Sequence, residues 1–549
     1  MRKKIFNIVL VAIASLALVS CNNAQKMIDG ANLINWNCNP EVLEVVAGNI
    51  NADVTVTFPA DYFLPKAILE VTPVLVYEGG EVAGKPFMYQ GEKITENYKT
   101  VSKANGATIK ESVHFGYVPG MEKSQLVARA KVIYGAGEYP FPFDIKIADG
   151  ANTTYMLVEK DGTFPFAPSG YQAIIPETAE AQIMYLINSA DVRNSELKSA
   201  DIKAWQEALK ALENDERREI KGTEVIAYAS PDGGVTLNDK LSANREKSAS
   251  KALKKVAKKL NTGDVTTKAS GQDWEGFQAL VNASNIEDKE LILRVLSMYS
   301  DPTVREREIK NMSAVYSTLA KNVLPQLRRA RFVTNVEFTN YTVEELAQLV
   351  ESNIDVLDEP ALLEAAANAK DNAAKLAIYK QAIKKFNSDK ARVNSAVVYL
   401  QEGKDSDAKS VIASADKNCP YVKNLNGVIA LRAGKIVEAS ECFEAAGDFA
   451  AAKQNLAVID ILQGRYNDAA KKLAGTKSCN ETLAFILTNQ LDKASASIKG
   501  TCPKCSYKKA IIAARQGKVA EAKAAIEAAS KNADLAARAE KDVEFIKVR

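Results

Sequence analysis

One histidine in 549 residues, His114, is the first constraint. Most nucleophile–base pairs and most zinc sites are built with histidine, so a chain with one His has few ways to make either. His114 sits in the alternating run Ser112-Val113-His114-Phe115-Gly116-Tyr117 and reads as a strand residue. Carboxylates remain as acid–base groups, but no pair stands out by spacing. The chain therefore reads as a scaffold or binding protein, not an enzyme, and implies no cofactor and no metal. A charge surplus is also missing. Lys and Arg number 71 against 68 Asp and Glu. Arg2, Lys3 and Lys4 account for that excess, so beyond residue 20 the two signs balance at 68 each. A neutral chain offers no electrostatic ground for nucleic-acid binding. Beyond residue 19 there is no apolar run long enough to span a bilayer.

What is present begins at the N-terminus. The three basic residues precede an apolar stretch from Ile5 to Val19, which ends in Leu18-Val19-Ser20-Cys21. A basic start, a short apolar segment and small residues before a cut site make a secretory signal, residues 1–20. The Leu-Val-Ser-Cys ending resembles the lipobox of bacterial lipoproteins. That resemblance implies acylation of Cys21 (a palmitate-type anchor), with outer-membrane affinity supplied by buried methylenes. Asn22, Asn23, Ala24 and Gln25 are uncharged. Surface-exported lipoproteins of the Bacteroides type often carry acidic residues there, so this sequence leans towards the periplasmic face.

Six further cysteines need an account. Cys38 stands near the N-terminus; Cys419, Cys442, Cys479, Cys502 and Cys505 lie in the last third. Cys502-Pro503-Lys504-Cys505 has redox or metal spacing. No second pair or His pair completes a zinc set, and the segment reads as helical, not as the βαβ context of a thioredoxin. The expectation is structural cysteines. An exported protein also permits disulfides among them, whose pairing sequence does not give.

Residues 21–175 read as a β-sandwich. Strand patterns cover 53–59, 67–77, 125–134 and 141–147, separated by turn signals at Glu78-Gly79-Gly80, Asn105-Gly106 and Asp149-Gly150. Strongly apolar strands call for a second sheet to cover them. The segment Lys66 to Leu75 also resembles the N-terminal domain of a family of Bacteroides-type outer-membrane lipoproteins, which implies no chemistry.

Residues 176–341 carry the sharpest motif. A strand at 181–187 and a helix at 199–217, with Ile202, Trp205, Leu209 and Leu212 on one face, precede Glu224 to Gly234, a strand running into a turn. Asn238, Leu241, Ser242 and Arg245 then open a helix lasting to about Leu260, followed by strands at 264–269 and 328–338. The order strand, turn, Asn-x-x-Leu-Ser-x-x-Arg, helix resembles the OmpA-like peptidoglycan-binding family, with a mostly helical insertion at about 272–325. In that family an Asp and the motif Arg clamp the diaminopimelate of the cell-wall peptide. The Asp holds the ammonium and the Arg fork holds the carboxylate. Carried over, Arg245 is the fork and Ser230 stands at the Asp position, with Asp232 two residues on and Asn238 at the motif start. Losing the carboxylate would remove on the order of 1.5–3 kcal/mol if the bond is direct.

Residues 342–549 read as helical repeats. Gly403, Gly434, Gly464, Asn489 and Gly517 serve as anchors, spaced 31, 30, 25 and 28 residues apart. Five residues after each comes Ala408, Ala439, Ala469, Ala494 or Ala522, and nine after comes Ile412, Phe443, Leu473, Ile498 or Ile526. The anchor ends one helix in a left-handed turn and the alanine admits the next helix. Ile378, Tyr379 and Ala382 mark an earlier pair. The array resembles the tetratricopeptide-like family, with a period below the usual 34. Such arrays leave a groove that binds peptides or partner proteins. The domain order as a whole resembles Bacteroides-type envelope lipoproteins. It implies a scaffold linking outer membrane, protein partners through 342–549 and, through 176–341, peptidoglycan. The alternative is an accessory lipoprotein subunit of an outer-membrane assembly, secretion or fimbrial machine that acts through the repeats with no wall binding.

Overall fold

The structure is a computed structural model that describes residues 23–549 apart from Glu287. The signal segment and Cys21 lie outside the described residues. The chain divides into two compact units, and the division is not collinear with the sequence. One unit joins residues up to Ala167 with Asp389–Arg549; the other is Pro168–Ser388, inserted between them.

In the first unit, the expected strands at 53–59, 67–77 and 125–134 form at Asn49–Phe58, Ala67–Tyr77 and Ser124–Tyr134. Alternation places Ile50, Ala52, Val54, Val56 and Phe58 inward from one strand and Ala67, Leu69 and Val71 from the next. A sandwich calls for two separate sheets, but the strands form one hydrogen-bonded sheet of 11, eight in a continuous path and three paired to its side, curled into a half-barrel. The join is a parallel pairing of Ile145–Asn152 with Val42–Val46, at Asp149 to Val42 and Asn152 to Glu44. Asp149-Gly150 was expected to turn, yet it lies inside that last strand. Gly150 is needed there for close approach: a Cβ would lie 2.6 Å from Leu43 Cβ. His114 is in the strand Ala107–Gly116, exposed, with Nδ1 2.6 Å from Asn51 Oδ1.

The same unit holds five helical hairpins between Asp389 and Ala529. All five anchors adopt the left-handed conformation, Asn489 at φ 54° and the glycines at 72–79°. Each column alanine, Ala408 through Ala522, is fully buried, as the close approach of paired helices requires. One hydrophobic core runs from the half-barrel, through Tyr155, Val158 and Ala167, into the hairpins.

The second unit has a four-stranded sheet. Its order is Ile174–Met184, Arg329–Thr339, Arg218–Ala229, Asp264–Gln272, with only the last pair parallel. Helices Ala200–Leu212 and Val235–Val256 bury Trp205, Leu209, Ala249, Ala252 and Leu253 against Val225, Ala227, Ala330 and Phe332. Trp205 Nε1 donates to Thr334 Oγ1 at 3.1 Å, which satisfies a buried polar atom inside that core. The insertion is helical, from Trp274–Ala283 to Ser313–Asn322, with its own core around Phe277, Ile292 and Leu327. Helices Val343–Ser352, Glu359–Ala367 and Asn372–Phe386, read from sequence as the start of the array, belong to this unit.

Candidate functional site

The structure brings Ser230, Asp232, Asn238 and Arg245 together at the end of the strand Arg218–Ala229 and the start of the helix after it. The helix begins with Gly234 as its cap, so Asn238 and Arg245, two turns apart, share a face. Arg245 is fully buried. Its Nε, Nη1 and Nη2 donate to the carbonyls of Ser189, Tyr228 and Leu186 at 2.9, 2.9 and 3.1 Å. The guanidinium also stacks 5.0 Å from the Tyr185 ring. Burial holds it below the usual guanidinium range, at about 10.

The other half of the clamp is closed as well. Arg328 Nη2 lies 2.9 Å from Asp232 Oδ2, and its Nε donates to Ser230 Oγ at 3.3 Å. Ser230 Oγ donates to Asp232 Oδ1 at 2.6 Å. Asn238 Nδ2 donates to the carbonyls of Ser230 and Gly233 at 3.0 and 2.7 Å. The set therefore ties the strand end, the turn and the segment Leu186–Ser189 into one network. A ligand carboxylate would compete with three carbonyls for Arg245, and a ligand ammonium would compete with Arg328 for Asp232. The sequence motif gave no sign that Arg328 joins this site: it lies 98 residues from Ser230 and comes beside it only where the strand Arg329–Thr339 pairs with Arg218–Ala229.

A cleft of about 510 Å³ lies elsewhere in this unit, lined in part by Glu180, Asp201, Tyr228, Glu275, Arg329 and Arg331. Its arginines are matched internally: Arg329 with Asp273 at 2.8 Å and Arg331 with Glu180 at 2.5 Å.

The groove expected of the array is where sequence reasoning missed the most. Residues Glu159, Thr163 and Ala167 of the segment leaving the half-barrel lie against the first helices of successive hairpins. Asn480 accepts from Glu159 N and donates to Glu159 O, both at 2.8 Å. Asn455 does the same to Thr163 at 2.7 and 2.9 Å, and Asn394 to Ala167 at 2.7 and 3.1 Å. Asn424 adds a bond to Thr163 O at 2.9 Å and accepts from Asn455 Nδ2 at 2.9 Å. A carboxamide presents one donor and one acceptor side by side, so it pairs with a peptide group as a strand would. Gly162, at φ +81°, fits where a Cβ would lie 2.8 Å from Val428 Cγ2. Arg432 donates to Asp161 O at 2.9 Å and lies over the Phe164 ring. The signal was in the sequence: Asn394, Asn424, Asn455 and Asn480 are spaced 30, 31 and 25 residues apart, close to the anchor rhythm.

The six described cysteines are free thiols. Among the described residues no His, Cys, Asp or Glu group is arranged to hold a metal ion.

No family model matches the chain, and no curated protein does. Among solved structures it is similar to a tetratricopeptide repeat protein from Parabacteroides merdae ATCC 43184, at 12% identity and a TM-score of 0.26, over 36% of this chain and 98% of that one. It is also similar to the APC/C hetero-tetramer Cut9–Hcn1, at 13% identity and a TM-score of 0.30, over 62% of this chain and 81% of that one. The hairpin register described above rests on the chain's own geometry: five left-handed anchors, each followed by a buried alanine.

Proposed function

We propose that this chain is a lipid-anchored scaffold of the bacterial cell envelope that works through protein contacts rather than catalysis. The observation that carries the reading is the hairpin array, whose first helices are built to clasp an extended peptide. The peptide they clasp is the chain's own, Glu159–Ala167, so partner contact falls to the second helices. There Val437 and Val519 stand 71% and 43% exposed. The lipobox supports attachment through Cys21 to the outer membrane, facing the periplasm. Among the described residues, no helix is long and apolar enough to cross a membrane.

Two experiments test this. Cys21→Ser should move the protein out of the membrane fraction and abolish palmitate labelling; unchanged labelling removes the anchor. Photo-crosslinking residues placed at Val437 and Val519 should capture envelope proteins in intact cells, while one at Asn424 should link only to this chain. Capture of other proteins chiefly at Asn424 would return the groove to its expected role as the partner site.

The Arg245 network favours the accessory-subunit reading, with no wall binding, over a wall linker. Purified sacculi should not sediment the protein, and Ser230→Asp should not change that. Sedimentation that Arg245→Lys abolishes would restore the wall reading.

A further inference from the structure

Three thiols and a buried ammonium meet where the last two hairpins join. Cys502 caps the helix Pro503–Arg515, its sulfur accepting from Cys505 N at 3.3 Å. The two Sγ atoms share a hydrogen bond at 2.9 Å. Cys502 is exposed and Cys505 buried. Cys479 opens the preceding first helix, Cys479–Leu487, and its thiol lies against Cys505. Lys508, one turn beyond Cys505 and 2% exposed, donates to the Cys479 carbonyl at 2.8 Å. The geometry points to a redox-active dithiol: Cys502 and Cys505 exchange reversibly with a disulfide-bearing co-reactant, Cys502 being the sulfur attacked from solvent.

The chemistry needs a nucleophile, a resolving thiol and access. A thiolate at a helix N-terminus is favoured by the unpaired N–H groups there and by nearby cationic charge. The hydrogen bond shared with Cys505 holds the Cys502 thiol below its ordinary range. Burial and the same contact push Cys505 up to about 11. The pair is thus asymmetric: the exposed Cys502 thiol gives up its proton more readily than the buried Cys505 in contact with it. In the oxidising direction the Cys502 thiolate attacks one sulfur of the co-reactant disulfide, forms a mixed disulfide and expels a thiolate. Cys505, giving its proton to solvent or to that leaving thiolate, then attacks the Cys502 sulfur and expels the second thiolate. Two protein thiols are oxidised, and one disulfide is reduced to two thiols. A metal is a poorer occupant, because three cysteines lack a fourth donor.

The test uses the full chain, equilibrated in glutathione buffers of graded reduced-to-oxidised ratio, quenched with acid and read by differential alkylation and peptide mass spectrometry. A Cys502–Cys505 disulfide should form and disappear reversibly across the series. At neutral pH, in the reduced protein, Cys502 should be alkylated at least tenfold faster than Cys505. Cys505→Ser should accumulate a glutathione adduct on Cys502, and Cys502→Ser should give no adduct on Cys505. Full alkylation of both thiols in the most oxidising buffer would overturn the proposal. So would a Cys479–Cys505 disulfide in its place, or equal alkylation rates. Circular dichroism of each Ser variant separates loss of exchange from loss of fold, and the wild-type titration stands without any variant.

Discussion

A side-chain amide turned inward from a helix is a liability unless both its groups are matched, and four here solve that problem together, three of them buried and Asn480 half-buried. Asn455, 1% exposed, bonds Thr163 N, Thr163 O and Asn424 Oδ1 at once. Removing it leaves the part-buried Thr163 N–H and a second, buried asparagine short of partners, together worth about 1–3 kcal/mol. Asn455→Ala should therefore lower the urea midpoint of the first unit by a clear margin. Asn418→Ala, on an exposed side chain of the same unit, should leave it within about 0.5 kcal/mol. Equal midpoints would mean that the clasp adds nothing to the fold. Arg245 follows the same logic with a charge attached. Arg245→Met keeps much of the volume but strands three carbonyls, so it should destabilise the second unit by several kcal/mol, measured by thermal unfolding. A ligand-binding arginine with no structural duty would show no such loss.

At the scale of elements, the sequence was informative wherever a local pattern decides the outcome. The strand Ala67–Tyr77 has the expected bounds, because period-two alternation ends at the Glu78-Gly79-Gly80 turn. The hairpin anchors were legible because a left-handed turn selects Gly or Asn. The site network was legible only in part: Arg245 and Asn238 sit in a contiguous motif, but Arg328 reaches them through strand pairing. The join between the two sets of strands was hidden for the same reason. Residues 158–172 were opaque, because an extended segment without regular structure carries no periodicity of its own; its partners do. The C-terminus shows another such element. Glu544, in the short turn Val543–Phe545, accepts from Arg515, Asn152 Nδ2 at 2.8 Å and Thr154 Oγ1 at 2.7 Å. Burial pushes its carboxyl up, but Arg515 and the two further donors outweigh this and hold it below the ordinary 4.5. A depressed carboxyl adds stability that is present above the unfolded-state pKa and lost as pH falls through the folded-state value. Glu544→Gln should thus cost the most at neutral pH, about 3–5 kcal/mol for a buried pair broken on one side. The gap to wild type should narrow below about pH 4.5. A gap that stays constant with pH would mean that the charge is not what matters.

At the scale of the whole molecule, the boundaries suggested by sequence pattern at 175/176 and 341/342 both fall inside the second unit. The chain crosses from one unit to the other at Ala167–Pro168 and returns at Ser388–Asp389. The physical reason is that the half-barrel and the hairpins share one core, in which Val54, Leu69, Tyr155, Val428 and Tyr507 belong to a single cluster. Neither part closes that core alone, since each would expose the apolar surface that the other covers, at about 25 cal/mol per Å². The residues between Pro168 and Ser388 have separate cores around Trp205 and Phe277. Residues 168–388 expressed alone should then unfold in a cooperative thermal transition with dispersed amide resonances. Residues 389–549 alone, without the Glu159–Ala167 segment, should leave Asn394, Asn424, Asn455 and Asn480 unmatched and give broadened spectra. Mixing them with residues 23–167 as a second chain should restore a sharp transition and a one-to-one complex by sedimentation. Asn455→Ala and Asn480→Ala together should weaken that complex at least tenfold, since even one lost clasp bond of about 1.4 kcal/mol gives that factor. If residues 389–549 fold independently and ignore residues 23–167, the shared core is not what joins them, and the array is a separate domain after all.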